Sequence, residues 1–600
     1  MAKIGDALMN FNDLVWSFSP NYTKTVFESY RRHSGDLIAK ARGDLPADLL
    51  LRGLRLFVPT TKEWLTTDVA IADGTVIGWG ARDAIEVLDL DGAWATPSFI
   101  DAHMHIESTK LWIPDFVAAV LPWGTTAVAN DPHEMANVMG RIGVSAMIEA
   151  ARGLPFTFGF SASSCVPASR FESPGATFDL DDIRWLLADA NGIGLAEVMN
   201  FPGVIAGDPE LLAKIAAAGH ARVDGHAPGL TGRDLDAYLC AGVESDHEMF
   251  TYEEVVEKRR KGMWVFLRHG SASQNLATLA QTVIEAGTSR VALCSDDREP
   301  DLIVSRGHVN HCIDVARDAG ITLEDALVMA TLNAAEYHGF RHLGMVAPGY
   351  QADLNIYTSM DHLMPDMVLQ RGTIVARKGS MVIPLRQMPP PKALLNSVHL
   401  PSALDADSFA TSVQAGQTIR AIEVVEHSLA TKSRLVTFVD DDPALNQLTV
   451  IERHHATGRS GHGYLMGFGL RRGAIASTVA HDAHNLMVVG ANSAQGRQDM
   501  ATAANYVATI GGGQVVCLDG KIIAEVALPI AGLMNNIGAD ILGQQVASAH
   551  DTIRTALGSE LEAPFMTLSF LGLSVIPSLK LTDQGLIDVE SFQITPLVVN

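Results

Sequence analysis

The sequence predicts an α/β protein: a (β/α)8 TIM-like barrel inserted in a small composite β-sandwich domain, followed by a C-terminal α+β domain. Three observations carry that expectation. From about residue 96 to 345, short apolar strands alternate with Ala- and Leu-rich helical stretches, close to the roughly 250 residues of a typical barrel. β-rich runs of one texture flank that stretch on both sides. A Pro-rich break, MPPPKALL from Met388, then precedes a last stretch in which strands and helices mix.

Residues 1–47 read as helix. The opening MAKIGDALMNFNDLVW sets Asp6, Asn10, Asn12 and Asp13 inside its apolar pattern, so it lacks the unbroken core of a signal peptide. Residues 48–95 carry the strand-like runs ADLLLRGLRLFVPT, TTDVAIADGTVIGWG and AIEVLDLDGAWATP, with an Ala-Asp-Gly turn that marks a hairpin. The texture returns over 346–387 in GYQADLNIYTS and VLQRGTIVARKGSMVI, and the two arms are expected to pair in one sheet domain. Between them, barrel strands are expected near 97–103, 125–130, 156–161, 194–198, 222–226, 242–247, 263–268 and 291–296. From about 400 to 600, strands such as LVTFVD, QLTVIERHH and GQVVCLDGKIIAEV alternate with helices such as DMATAANYVATIG.

Composition narrows the function. With 47% hydrophobic and 19% charged residues the chain is globular, and a net charge of −24 repels the phosphate backbone of nucleic acids. No stretch approaches the roughly 20 apolar residues of a membrane-spanning helix. Cys165, Cys240, Cys294, Cys312 and Cys517 are scattered and odd in number, which favours a reducing compartment, the cytoplasm by default. Gly511, Gly512 and Gly513 precede a strand and lack the lysine of a phosphate-binding loop.

Chemistry-bearing residues gather at the predicted strand ends. In Asp101-Ala102-His103-Met104-His105, the two histidines lie two apart on an extended chain and point the same way, so both imidazoles can reach one metal. An HxH taken alone is equally a polar strand end. Barrel enzymes, however, place reactive groups at the carboxyl ends of strands, where Glu197, His226, His247 and Asp296 also fall. Each of these could singly be a satisfied core residue; their coincidence points to a binuclear centre.

HxH on strand one, a carboxylate on strand four, histidines on strands five and six and an Asp on strand eight resemble the amidohydrolase superfamily. The flanking PSFIDAHMHIEST, NDPHEMANV, LAEVMNFPGV, DGHAPGLTGRDLDAYLCAGVESDHE and CSDDREPD are similar to the adenine deaminase family. So are VIERHHATGRSGHGYLMGFGLRRGAIASTVAHDAHNLMVVGAN, LPIAGLM and PFMTLSFL beyond the barrel.

The resemblance implies that His103, His105, Glu197, His226, His247 and Asp296 hold two divalent cations, Mn2+ or Fe2+, with Zn2+ compatible, and that Glu197 bridges them. It implies hydrolytic deamination of adenine to hypoxanthine and ammonia: a metal-activated water attacks C6, and Asp296 takes its proton and passes it toward the departing amino group. Asp297, Glu134 and His269 are the candidate proton donors to the purine ring. Asp131, His133, Glu134, Ser295, His481, Asp482 and His484 form a substrate-binding or auxiliary set, with His454 and His455 nearby in sequence. Trp123 and Glu299 stand where the family often has histidine, which bears on substrate fit. The rival readings are another amidohydrolase activity, such as cyclic-amide opening or deamination of a different base, and a non-catalytic metal-binding barrel. The expected partner is a small-molecule substrate, without nucleic acid or membrane, and a homodimer or homotetramer suits a chain of this size.

Overall fold

The computed structural model describes residues 35–188, 192–425 and 428–599. Of the helix expected over 1–47, residues 1–34 lie outside the described residues; Gly35–Arg42 is helical and a strand begins at Ala47.

Nine strands drawn from Ala47–Pro97 and Leu354–Met381 form one sheet. Its two arms join where Trp94–Pro97 runs antiparallel to Leu354–Tyr357, with Pro97 opposite Leu354 and Trp94 opposite Tyr357. The expected hairpin turns at Asp73-Gly74, where both residues have positive φ (49° and 72°), the geometry of the tight turn that matches strand twist. Arg371 and Gly372 repeat it (51° and 72°) between Met367–Gln370 and Thr373–Arg377.

The inserted segment supplies eight barrel strands: Phe99–Met104, Thr125–Asn130, Thr157–Ala162, Gly194–Val198, Arg222–Gly225, Ser245–Asp246, Trp264–Arg268 and Val291–Cys294. The pairings among the first five and among the last three are parallel. The Glu244 amide donates to the Val223 carbonyl (2.9 Å) across one junction, and the Asp296 amide to the His103 carbonyl (3.0 Å) across the other. Two strands fall short of their expected spans by two residues or more. The sixth, expected over 242–247, shrinks because Gly242 turns at φ 105° to close the preceding helix. The eighth, expected over 291–296, ends at Cys294 before Asp296 turns at φ 54°.

Beyond the linker, nine strands from Thr418 to Val599 form a second sheet. The helix Ala494–Thr509 packs on it through Met500, Ala503, Ala504 and Val507. This domain touches the barrel directly: the Trp112 amide donates to the Asn535 carbonyl (2.9 Å) and the Asn485 side-chain amide to the Ser173 carbonyl (3.0 Å). No helix among the described residues is long and apolar enough to cross a membrane.

Candidate metal centre

The carboxyl ends of the barrel strands bring His103, His105, Glu197, His226, His247 and Asp296 together, every one of them buried. The first strand is fixed from behind by Asp101, whose carboxylate accepts from the amides of His103 (3.2 Å) and Ser295 (3.1 Å). Burial pushes Asp101 up to about 7 despite those bonds. His105 contacts the Asp131 carbonyl through Nδ1 (3.0 Å), which turns its Nε2 toward Asp296 (3.2 Å) and Glu197 (3.4 Å). His247 Nε2 lies 3.2 Å from Glu197 and 3.7 Å from Asp296; His103 Nε2 lies 3.9 Å from Glu197 and 4.0 Å from Asp296. His226 joins Glu197 and His247 with ligand atoms within 4.8 Å of one another.

These separations test the donor set. Two atoms each about 2.1 Å from one ion are at most about 4.2 Å apart, and the distances measured to Glu197 and Asp296 satisfy that limit. His103 Nε2, Glu197 Oε2 and His226 Nδ1 are buried without a hydrogen-bond partner, an arrangement costly for polar atoms unless an ion or water completes it. The residues present therefore fit divalent cations.

The electrostatics agree. Burial, reinforced by His247, holds His103 well below the ordinary histidine value, leaving its imidazole neutral and able to ligate. Burial opposes charge on His105 and His247 as well, but the carboxylates outweigh it, driving His105 well upward and His247 to about 9. Glu197 and Asp296 stay well below the carboxylate range: burial works against them, while His105 and His247 hold Glu197 and Arg268 and His105 hold Asp296. Where no cation is bound, protons on the imidazoles balance the two carboxylates; a cation displaces those protons. Asp296 itself adopts the left-handed region (φ 54°), a conformation that aspartate tolerates and that recurs at active sites.

A second buried group adjoins this one, built by the barrel and the C-terminal domain together. Ser108 Oγ lies 2.6 Å from both Glu134 Oε1 and Asp297 Oδ1. His481 Nε2 is 3.8 Å from Asp297 and His484 Nε2 is 3.6 Å from Glu134. Asp131 accepts from Ser163 (2.9 Å) and pairs with His133 Nδ1 (2.8 Å). The ring of His481 stacks on Phe570 at 4.3 Å, and Phe570 also lines a cleft between Ser271–Ala272 of the barrel and Leu429–Thr431 of the C-terminal domain.

Other expected residues lie elsewhere. The His269 ring faces His311 (centroids 4.9 Å), and no hydrogen bond or ion pair among the described residues joins its side chain to either group. Burial and Arg298 push it down to about 4. The Ser295 hydroxyl is engaged with His308 (3.2 Å), and its amide with Asp101. His454 meets the Ala483 carbonyl (2.7 Å) within the C-terminal domain, and His455 meets the Pro174 carbonyl (3.2 Å) across the domain interface. Trp123 precedes the strand Thr125–Asn130 and so sits at the mouth opposite the cluster. Glu299 is buried against Lys110 (2.5 Å) and His550 (3.8 Å).

Four participants escape sequence reasoning. Arg268 forms ion pairs with Asp296 and with Glu248 (2.6 Å). Ser108 joins two carboxylates, and Glu107, raised to about 8 by burial and by Glu134, accepts from the Met135 amide (3.0 Å). A usable signal existed only for Arg268 and Glu248: charged residues closing the apolar run WVFLR and following His247.

Comparison with known proteins now bears on this arrangement. The family model "Amidohydrolase family" matches residues 94–382, and "Adenine deaminase C-terminal domain" matches residues 422–593. The chain is 41% identical over 94% of its length to the adenine deaminase of Desulfatibacillum aliphaticivorans, covering 99% of that protein. The chain belongs to the adenine deaminase family. Adenine deaminases of Methanothrix thermoacetophila (41% identical, 94% of this chain, 99% of that one) and Nitratidesulfovibrio vulgaris (40%, 95% and 100%) are similar over the same span. Its likeness to adenine deaminases thus runs through both domains that build the two buried groups.

Proposed function

We propose that this protein hydrolyses adenine to hypoxanthine and ammonia, as its family membership implies, at the barrel mouth closed by the C-terminal domain. The observation that carries this reading is the joint construction of the site: His481, Asp482 and His484 of the C-terminal domain, the part of the chain matching an adenine deaminase model, stand within 4 Å of barrel residues His133, Glu134 and Asp297.

In this reading His103, His105, Glu197, His226, His247 and Asp296 hold two divalent cations, Mn2+ or Fe2+ first and Zn2+ next. Bound there, the cations supply Lewis acidity and bring the pKa of water near neutrality. Asp296 takes up the proton of the attacking water and delivers it to the departing amino group; Arg268 keeps that carboxylate oriented and ionised between turnovers. Glu134 protonates the purine ring and takes back the second proton of the attacking water as ammonia departs and the C6 carbonyl forms. The hydroxyl of Ser108 carries a single proton, yet its oxygen stands 2.6 Å from both Glu134 and Asp297, so Ser108 donates to one carboxylate and accepts a proton from the other. Burial raises Glu134, which makes it the acid of the pair. Adenine enters through the cleft lined by Phe570, whose ring adjoins His481. The five cysteines are free, in keeping with a reducing cytoplasm.

The test is ammonia release from adenine by Mn-loaded protein. Absence of ammonia together with turnover of a hydantoin or dihydropyrimidine would assign the site to another amidohydrolase reaction.

A further inference from the structure

We propose a third cation site, distinct from the pair at Glu197, formed by His133 of the barrel with His481 and Asp482 of the C-terminal domain. Their ligand atoms all lie within 4.8 Å of one another. Asp482 Oδ1 is 3.7 Å from both His133 Nε2 and His481 Nδ1, inside the roughly 4.2 Å that a shared ion permits.

The orientation of His133 decides which of its nitrogens is free. Its Nδ1 hydrogen-bonds to Asp131 Oδ2 at 2.8 Å, and Asp131 is itself held by Ser163 at 2.9 Å. A carboxylate fixing one imidazole nitrogen so that the other presents its lone pair is the arrangement that commonly backs metal-bound histidine. His133 Nε2 and Asp482 Oδ2 are buried without hydrogen-bond partners. Charge points the same way. Asp131, Glu134, Asp297 and Asp482 surround His133, His481 and His484, and among the described residues none of the four carboxylates has a lysine or arginine within 4.0 Å. With Glu134 protonated as the acid, the carboxylates of Asp131, Asp297 and Asp482 remain, and imidazoles that are neutral when they ligate an ion leave those three to be balanced by the ion itself.

The ion would staple the segment carrying His481 and Asp482 to the barrel mouth, so its chemical role is to hold two domains in register. The site does not depend on the adenine reading, since ion positions are measured without substrate. The experiment is anomalous diffraction at the manganese edge from the full chain loaded with excess Mn2+, with bound metal counted by mass spectrometry. A peak touching His133 Nε2, His481 Nδ1 and Asp482 is expected in addition to density at the principal cluster. Asp482→Asn and His481→Gln should each lose one ion per chain while keeping the principal density. Asp131→Asn should weaken the third ion about 10- to 100-fold. No peak at His133 Nε2 in the parent protein, or an unchanged ion count in both variants that lack a ligand, overturns the proposal.

Discussion

Lys258 has no exposed surface, and its three N–H groups find three acceptors: Asp246 (2.5 Å), Glu254 (2.5 Å) and the Ala227 carbonyl (2.8 Å). Asp246 in turn accepts from the amides of Ala227 (3.2 Å) and Glu248 (3.0 Å), and Glu254 from those of Gly229 (2.8 Å) and Phe250 (2.9 Å). One ammonium thus secures the segments that follow the fifth and sixth barrel strands, where His226 and His247 emerge. Lys258→Met fills the space and strands two buried carboxylates, a loss of about 3–5 kcal/mol. At roughly 2–4 °C per kcal/mol for a domain of this size, the melting temperature should fall by roughly 6–20 °C. The deficit should depend on pH with a definite sign. In the parent, burial raises Asp246 but Lys258 outweighs it, so its folded value lies below 3.8 and its stabilisation is intact throughout neutral pH. In the variant the unpaired acids shift upward; their penalty is full above the shifted values and recedes as protons bind. Scanning calorimetry of parent and variant at pH 7.5 and pH 5 reads both effects, with the larger gap expected at pH 7.5. A melting temperature within about 1 °C of the parent, or an equal gap at both pH values, would refute the reasoning.

Asp296→Asn should retain much of its metal and lose most turnover, whereas Glu197→Gln should lose metal itself; metal analysis and the ammonia assay on one preparation separate them. Exhaustive chelation should lower the melting temperature, with recovery on adding Mn2+, because the crowded carboxylates and imidazoles lose the charge that balances them. Glu299→Gln leaves Lys110, buried beside it at 2.5 Å, without its counter-charge and should cost about 3–5 kcal/mol in a denaturant melt, while the principal metal content stays unchanged. His269→Ala should leave kcat within a few-fold of the parent in the same ammonia assay, since its ring faces His311 and not the cluster.

Much of the fold is written in local pattern. The turn at Asp73-Gly74 needs positive φ at both central residues, and the Ala-Asp-Gly text announces it before any coordinates. The barrel strands announce themselves as apolar runs bounded by turn residues, and a candidate site residue at the end of such a run is visible because barrel geometry sends strand ends to one mouth. Where local pattern misleads, a single backbone position is responsible: Gly242 at φ 105° takes the front of the sixth strand for a helix terminus. His269 shows the opposite failure, since its place just past a strand end is shared by residues that enter the site and residues that turn away.

Strand periodicity and the spacing of His103, His105, Glu197, His226, His247 and Asp296 name the six side chains of the principal cluster, since each lies at or beside a strand end whose direction the chain itself dictates. Partnerships across long sequence gaps come from packing alone. Arg268 meeting Asp296 and Glu248, Ser108 shared between Glu134 and Asp297, and Asp482 facing His133 join residues tens to hundreds of positions apart or on different domains. No local propensity encodes such meetings. They arise because closing the barrel and docking the second sheet leave each buried charge one place where its desolvation is offset.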